Sequence, residues 1–403
     1  MKTAPLEAVA EINPRGPKPG DFAAAQTFDF VPMADLKEDG SMTVKSQRKF
    51  EEVSKGYTAF KNGDVLLAKI TPCYENNKIA LAEVTTEHAF GSTEFHVIRP
   101  MPSRICGRYL THFLRQDIVR DAGAKRMTGS GGQRRVPKDF LATLEIPLPS
   151  LEEQKRIAAI LDQADALRRL RARALDRINA LGHAIFNEMF VAHGGSQRES
   201  WPQSRIGDLC ERVSVGVVVK PASYYVERGV PAIRGTNIKP DGIDLSDMVY
   251  FDRGASEGVL RKSRLSAGDV VAVRSGRPGL AAVVPPELDG ANSIDILIAS
   301  PKRAKLLPQF LRDFMNSTEG RKIVMAESRG QVQQHFNVKS LSEAQLSLPP
   351  IGDQVKYVQR IEAVDLVRAG AALAQKRAEE LFNSLQQQAF SGKLVLTKAR
   401  SAA

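Results

Sequence analysis

The residues best suited to recognition chemistry fall in two loops. In MTGSGGQRRVP (127–137), Gln133, Arg134 and Arg135 close a glycine-rich stretch. In SRGQVQQHF (328–336), Arg329, Gln331, Gln333, Gln334 and His335 occupy a corresponding place. Arginine grips guanine through two parallel hydrogen bonds, glutamine does the same for adenine, and both reach phosphate oxygens. Lys69 and Thr71 follow an apolar strand pattern, and Arg274, Ser275 and Arg277 stand at the matching place later in the chain, which extends each set. Any one of these side chains is as readily a solvated loop tip. The two loops taken together favour binding of a polyanion, and a balance of 57 Lys and Arg against 46 Asp and Glu agrees with that.

Signatures of bond-making chemistry are missing. The sequence has no phosphate-cradling P-loop, no dinucleotide fingerprint, no H-E-x-x-H or paired C-x-x-C, and no G-x-S-x-G elbow. Its 6 histidines are scattered, and no metal site or cofactor bound by this chain is expected. Cys73, Cys106 and Cys210 lie far apart, which fits free thiols in a reducing cytoplasm. Glu7, Glu11 and Pro14 interrupt any signal-peptide core, and no apolar run approaches the ~18 residues of a membrane span, so no membrane partner is expected.

The elements that would position the loops read as α+β. Strands are expected at FDFVPMADL (28–36), KNGDVLLAKI (61–70), NKIALAEV (77–84) and FHVIRP (95–100), followed by one helical segment from Gly107 to about Ala122. After the loop comes a short strand around Ile146 and a long amphipathic helix from Glu152 to Phe190, roughly 58 Å at 1.5 Å per residue. Ser150 and Glu153 carry the spacing of a capping box at its start. The polar, glycine-containing segment 193–200 then ends the pattern.

The same grammar returns. SAGDVVAVRSG (266–276) answers KNGDVLLAKI, SIDILIASP (293–301) answers STEFHVIRP, and a helical segment from Pro308 to about Ala326 answers the one at 107–122. At an offset of 200 residues Leu141 meets Leu341, Pro149 meets Pro349, Gln154 meets Gln354 and Phe190 meets Phe390. The pattern is a tandem duplication. Apolar residues repeat in heptads at Ile157, Ile160, Leu167, Ile178, Leu181 and Ile185, and again at Tyr357, Val364, Val367, Leu381 and Leu385. Two such seams bury themselves most simply against each other, so an antiparallel coiled coil with pseudo-twofold symmetry is expected. The expected boundaries are a globular domain at 1–149, a spacer helix at 150–192, a second domain at 193–348, a second spacer helix at 349–392 and a tail at 393–403.

The segment IPLPSLEEQKRIAAILDQAD with AIFNEMF, and its echo LSLPPIGDQVKYVQRIE with LFNSLQQQAFSGKL, resemble the helical regions of type I restriction–modification specificity subunits. FVPMADLKEDG, GDVLLAKI, IRGTNIKPDGID and GDVVAVRSG are similar to the target-recognition domains of that family. The resemblance implies that each domain reads one half of a bipartite double-stranded DNA target while the helices set the gap. It implies docking of two modification subunits, which carry S-adenosylmethionine and methylate adenine at N6, and of ATP- and Mg-dependent restriction subunits. The chain itself would have no catalytic activity. The competing expectation is a coiled-coil scaffold whose end domains bind protein and recognise no DNA.

Overall fold

The computed structural model describes residues 2–18, 20–130, 132–192, 201–240, 242–326 and 336–394. The chain forms two compact units, Met1–Ala174 with Ala372–Ala403, and Leu175–Ala371. Two long helices, Leu151–Asn187 and Ile351–Ser391, each contribute one part to either unit.

The first unit is built on a four-stranded antiparallel sheet with spatial order Ala10–Ile12, Phe95–Pro100, Val65–Ala68, Ile79–Leu81. Alternation along a strand explains why VLLA is apolar throughout. Val65 and Leu67 enter a core with Tyr109, Leu110, Ile157 and Leu161, whereas Leu66 enters a second core with Val31, Phe60 and Val97. Helices therefore cover one face and a second sheet covers the other. That second sheet runs Ser46–Lys49, Thr27–Val31, Ala89–Gly91, Thr58–Phe60, with its two middle strands parallel.

The second unit repeats the central sheet in the same order: Cys210–Val215, Ile296–Pro301, Val270–Val273, Ala281–Val283. Val270 and Ala272 face a core with Phe310 and Tyr357, and Val271 and Val273 face one with Ile233 and Leu280. Its second sheet again carries a parallel pair, Val230–Arg234 beside Asn292–Ile294. Here Tyr225–Val226 extends the antiparallel side, and a small hairpin, Ile238–Lys239 with Gly242–Ile243, is added.

Within its own unit, each long helix begins on the same buried glutamine clamp. Gln154 accepts from the Cys106 amide at 2.9 Å and donates to the carbonyls of Arg104 and Pro149 at 3.1 and 3.0 Å. Gln354 accepts from the Leu307 amide at 2.9 Å and donates to Lys305 and Pro349, each at 3.0 Å. The Ser150 hydroxyl caps the first helix by accepting from the Glu153 amide at 3.3 Å.

Three expectations need correction. The strand expected at 28–36 stops at Val31, because Pro32 has no amide to donate, and Met33–Asp35 forms a short 3-10 turn. Each helical segment before the loops is a pair of helices, not one. Gly107–Leu114 and Asp117–Ala124 are separated at Gln116, and Pro308–Asn316 and Thr318–Ala326 at Ser317. Gln116 and Ser317 both take extended backbone angles, and the Ser317 hydroxyl accepts from the Gly320 amide to start the second helix of its pair.

The heptad seam is also shifted in phase. Ile157, Tyr357 and Val364 are buried and Ile160, Ile178, Ile185 and Leu385 are half-buried. Leu167, Leu181, Val367 and Leu381 are instead 40%, 44%, 58% and 48% exposed. Ala164 and Ala378, which keep the seven-residue spacing, are buried, and so are Leu161, Phe186, Ile361 and Phe382, which stand outside it. An α-helix advances by 3.6 residues per turn, so positions spaced strictly by seven drift off a fixed face over several turns. In the first unit Arg168 takes the place expected for Leu167, pairing with Glu379 at 3.0 Å and lying 4.9 Å over the Phe382 ring. Among the described residues no helix is long and apolar enough to cross a membrane.

Candidate nucleic-acid interface

In the first unit the strand Val65–Ala68 runs straight into the predicted set. The Val136 amide donates to the Lys69 carbonyl and the Thr71 amide to the Arg134 carbonyl, both at 2.9 Å. Thr128 and Arg135 exchange backbone hydrogen bonds at 3.0 and 2.8 Å, which closes the neck of the loop. Gly129 sits at φ +132°, and a Cβ there would stand 2.5 Å from the Gln133 carbonyl oxygen, so the tight neck requires glycine. The structure thus joins Lys69 and Thr71 to Gln133, Arg134 and Arg135, with Gln133 and Arg134 exposed at the tip.

These side chains are not equivalent. Arg135 gives both bonds of its fork to Glu94, Nε to Oε2 at 3.0 Å and Nη2 to Oε1 at 2.8 Å. Those hydrogen bonds hold the Glu94 carboxyl below the usual glutamate range and raise the Arg135 guanidinium. Arg134 has only a loose approach to Glu75, 3.7 Å away, and its side chain is 51% exposed. The Thr71 hydroxyl is engaged, donating to Glu75 Oε1 at 3.0 Å. Lys69 lines a polar cavity of about 380 Å³ together with Asn13, Tyr57 and Thr93. Behind it the His96 ring is held between the Val136 carbonyl at 2.9 Å and the Asn13 amide group at 3.0 Å, and burial lowers its pKa. His96 is therefore a buried brace for the neck.

Two features of this face escaped sequence reasoning. Glu94 looks like any solvated acid in STEF, and only the fold reveals its partner. Arg48 lies 3.9 Å over the Phe30 ring and donates to the Tyr57 hydroxyl at 3.2 Å, which places a cation and a partly exposed aromatic on one surface. Such a pair suits phosphate or stacking contacts. The alternation of FDFV with QRKF across the strand pair was the available signal.

In the second unit Arg274 follows the strand Val270–Val273, pairs with Asp295 through Nη1, and donates from Nε to the Phe336 carbonyl at 3.4 Å. Ser275 and Arg277 are exposed in a turn closed by the Arg277 amide on the Ser275 carbonyl at 3.0 Å, with Gly276 at φ +79°. Arg329, Gln331, Gln333, Gln334 and His335 lie outside the described residues. Among the described residues no cluster of three or more His, Cys, Asp or Glu could hold a metal ion. The cysteines are free thiols, and burial pushes that of Cys210 up to about 12.

Comparison with known proteins bears on this face directly. Residues 1–180 match the family described as Type I restriction modification DNA specificity domain. The chain is 41% identical over 155 residues to the Escherichia coli type I restriction enzyme EcoAI specificity subunit, a match covering 38% of this chain and 26% of that subunit. It is 39% identical over 155 residues to the EcoEI specificity subunit of the same organism, covering 38% and 25%. The chain thus spans about a quarter of the length of these two relatives. A putative type I restriction enzyme MjaX specificity subunit from Methanocaldococcus jannaschii is 24% identical over 332 residues, 75% of this chain and 72% of that one. Among solved structures, the type I S subunit from M. genitalium shares the fold at a TM-score of 0.59, with 12% identity and coverage of 98% and 96%. A chain from a structure describing complex assembly and conformational transition of the type I R-M system also gives a TM-score of 0.59, at 20% identity and 98% coverage of both chains. What the comparisons establish is a likeness: the part of the chain that matches the type I restriction modification DNA specificity domain, residues 1–180, includes the Lys69–Thr71 strand end and the loop welded to it.

Proposed function

We propose that the chain is a sequence-specific DNA-recognition subunit of a type I restriction–modification complex, with no catalysis of its own. One observation carries this reading. The exposed tip Gln133–Arg134 is welded to Lys69–Thr71 within a region that matches a DNA specificity domain. Arginine and glutamine at a rigidly held tip can reach base edges, whereas lysine beside them meets phosphate.

In the finer architecture, 1–149 and 193–348 are target-recognition domains, each reading one half of a bipartite site. Helices 150–192 and 349–392 form an antiparallel coiled coil that sets the gap, 393–403 is a tail, and a pseudo-twofold relates the duplicated halves. The shared strand order of the two central sheets and the paired clamps of Gln154 and Gln354 support duplication. The antiparallel pairing is supported in the second unit by Phe186 packing on Tyr357 while Gly182 approaches Ile361, so that positions rising along one helix fall along the other.

On this reading double-stranded DNA is held here while partners do the chemistry. Two modification subunits would bring S-adenosylmethionine to an adenine drawn out of the stack. Restriction subunits would bring ATP and Mg, and the assembly would work in the cytoplasm. The test is electrophoretic retardation of duplex DNA by the chain together with its modification subunit. Specific retardation that falls steeply as salt rises is expected. Failure to retard any duplex even at low salt would reject the proposal.

A further inference from the structure

We propose that Glu94 and Asp295 are positioning residues, each latching an arginine beside its unit's exposed candidate readers, Gln133 and Arg134 in the first unit and Ser275 and Arg277 in the second, and so fixing which bases those side chains reach. The inference rests on the DNA-recognition reading and adds to it the residues that set specificity without touching a base.

Glu94 is the last residue before the strand Phe95–Pro100. Its backbone is fixed on both sides, its amide accepted by the Ser92 hydroxyl at 3.2 Å and its carbonyl accepting from the Lys69 amide at 2.9 Å. Arg135, at the loop's exit, spends the paired edge of its guanidinium on this carboxylate and reaches back with Nη1 to the Gln133 carbonyl at 3.4 Å. The guanidinium thus runs from the rigid sheet to the loop tip. A fork closed along its Nε–Nη2 edge on a carboxylate is fixed in orientation, and an arginine with its charge so offset gains little from phosphate. Gln133 and Arg134 are the exposed side chains beside it, and the latch sets their height and direction.

The second unit supplies an independent instance. Asp295 also stands immediately before the strand Ile296–Pro301, and it too holds an arginine, Arg274. That arginine also donates from Nε to the carbonyl of Phe336 at 3.4 Å. The acid keeps its place while the arginine changes origin, from the loop in one unit to the strand end in the other. An acid facing a polyanion costs affinity, so its recurrence at this place points to geometry and not to attraction. Different arginines on one acid position are a physical route by which a repeated scaffold presents two different surfaces.

The test uses the chain in complex with its modification subunit and a pool of duplexes randomised over both half-sites, with the bound fraction sequenced. Glu94→Gln keeps the shape and removes the charge. It should lower base preference about 10-fold in one half-site and leave the other unchanged, and Asp295→Asn should do the converse. Glu94→Asp should restore part of the preference, and the double variant Glu94→Arg with Arg135→Glu should restore more of it than Glu94→Arg alone. The slope of affinity against salt should not become shallower, because no phosphate contact is removed and an arginine is released from its carboxylate. Preferences indifferent to both single variants, or lowered equally in both half-sites, would overturn the latch while leaving DNA recognition standing. A wild-type complex that selects no sequence would overturn the functional proposal and the latch with it.

Discussion

Arg134 and Arg135 are neighbours in sequence with opposite duties in the structure. Arg135 is closed on Glu94, while Arg134 is half exposed beside Glu75. Arg134→Ala should therefore weaken discrimination at one half-site about 10-fold and spare the other, as read by selection from randomised duplexes. Equal loss at both would contradict separate reading units. Glu94 also makes a pH-dependent contribution. Its carboxyl is held below the ordinary glutamate range by Arg135, so the stabilisation is complete above the unfolded group's pKa of about 4.3 and is lost as pH falls through the lower folded value. Acid unfolding of Glu94→Gln should be shallower than that of the wild type across this window, and identical slopes would contradict the assignment. That Lys69 and Thr71 would share a surface with Gln133, Arg134 and Arg135 could be expected from sequence, because residue type and loop setting are both visible in one dimension. Glu94 was invisible because its meaning depends on a partner 41 residues away.

At the scale of elements, strands were legible where burial on both faces leaves an unbroken apolar run, as in Val65–Ala68 and Val270–Val273. The break at Gln116 or Ser317 was not, since the apolar pattern continues through it and only backbone angles end the helix. The long helices were legible in extent but not in phase. A seven-residue repeat names a stripe, and over ten turns the difference between 3.5 and 3.6 residues moves that stripe to another face. The corrected phase makes a contrast that unfolding by urea can measure. Leu161→Ala, at a fully buried position, should cost about 2–5 kcal/mol. Leu167→Glu, at an exposed one, should change stability by no more than about 0.5 kcal/mol. Comparable losses from both would restore the strict heptad.

For the whole molecule, a repeat was expected from the register of 200 residues, and both units carry the central sheet in one strand order. The division of the chain into compact units was not plain, because each long helix serves both units and no change in composition marks the place. The proposal that two such units read one DNA molecule is tested most directly by selecting bound sequences from a fully randomised duplex pool with the assembled complex. Two short specified blocks separated by a gap of fixed length and free sequence are the predicted result. A single uninterrupted block, or no enrichment at low salt where phosphate contacts are strongest, would contradict it.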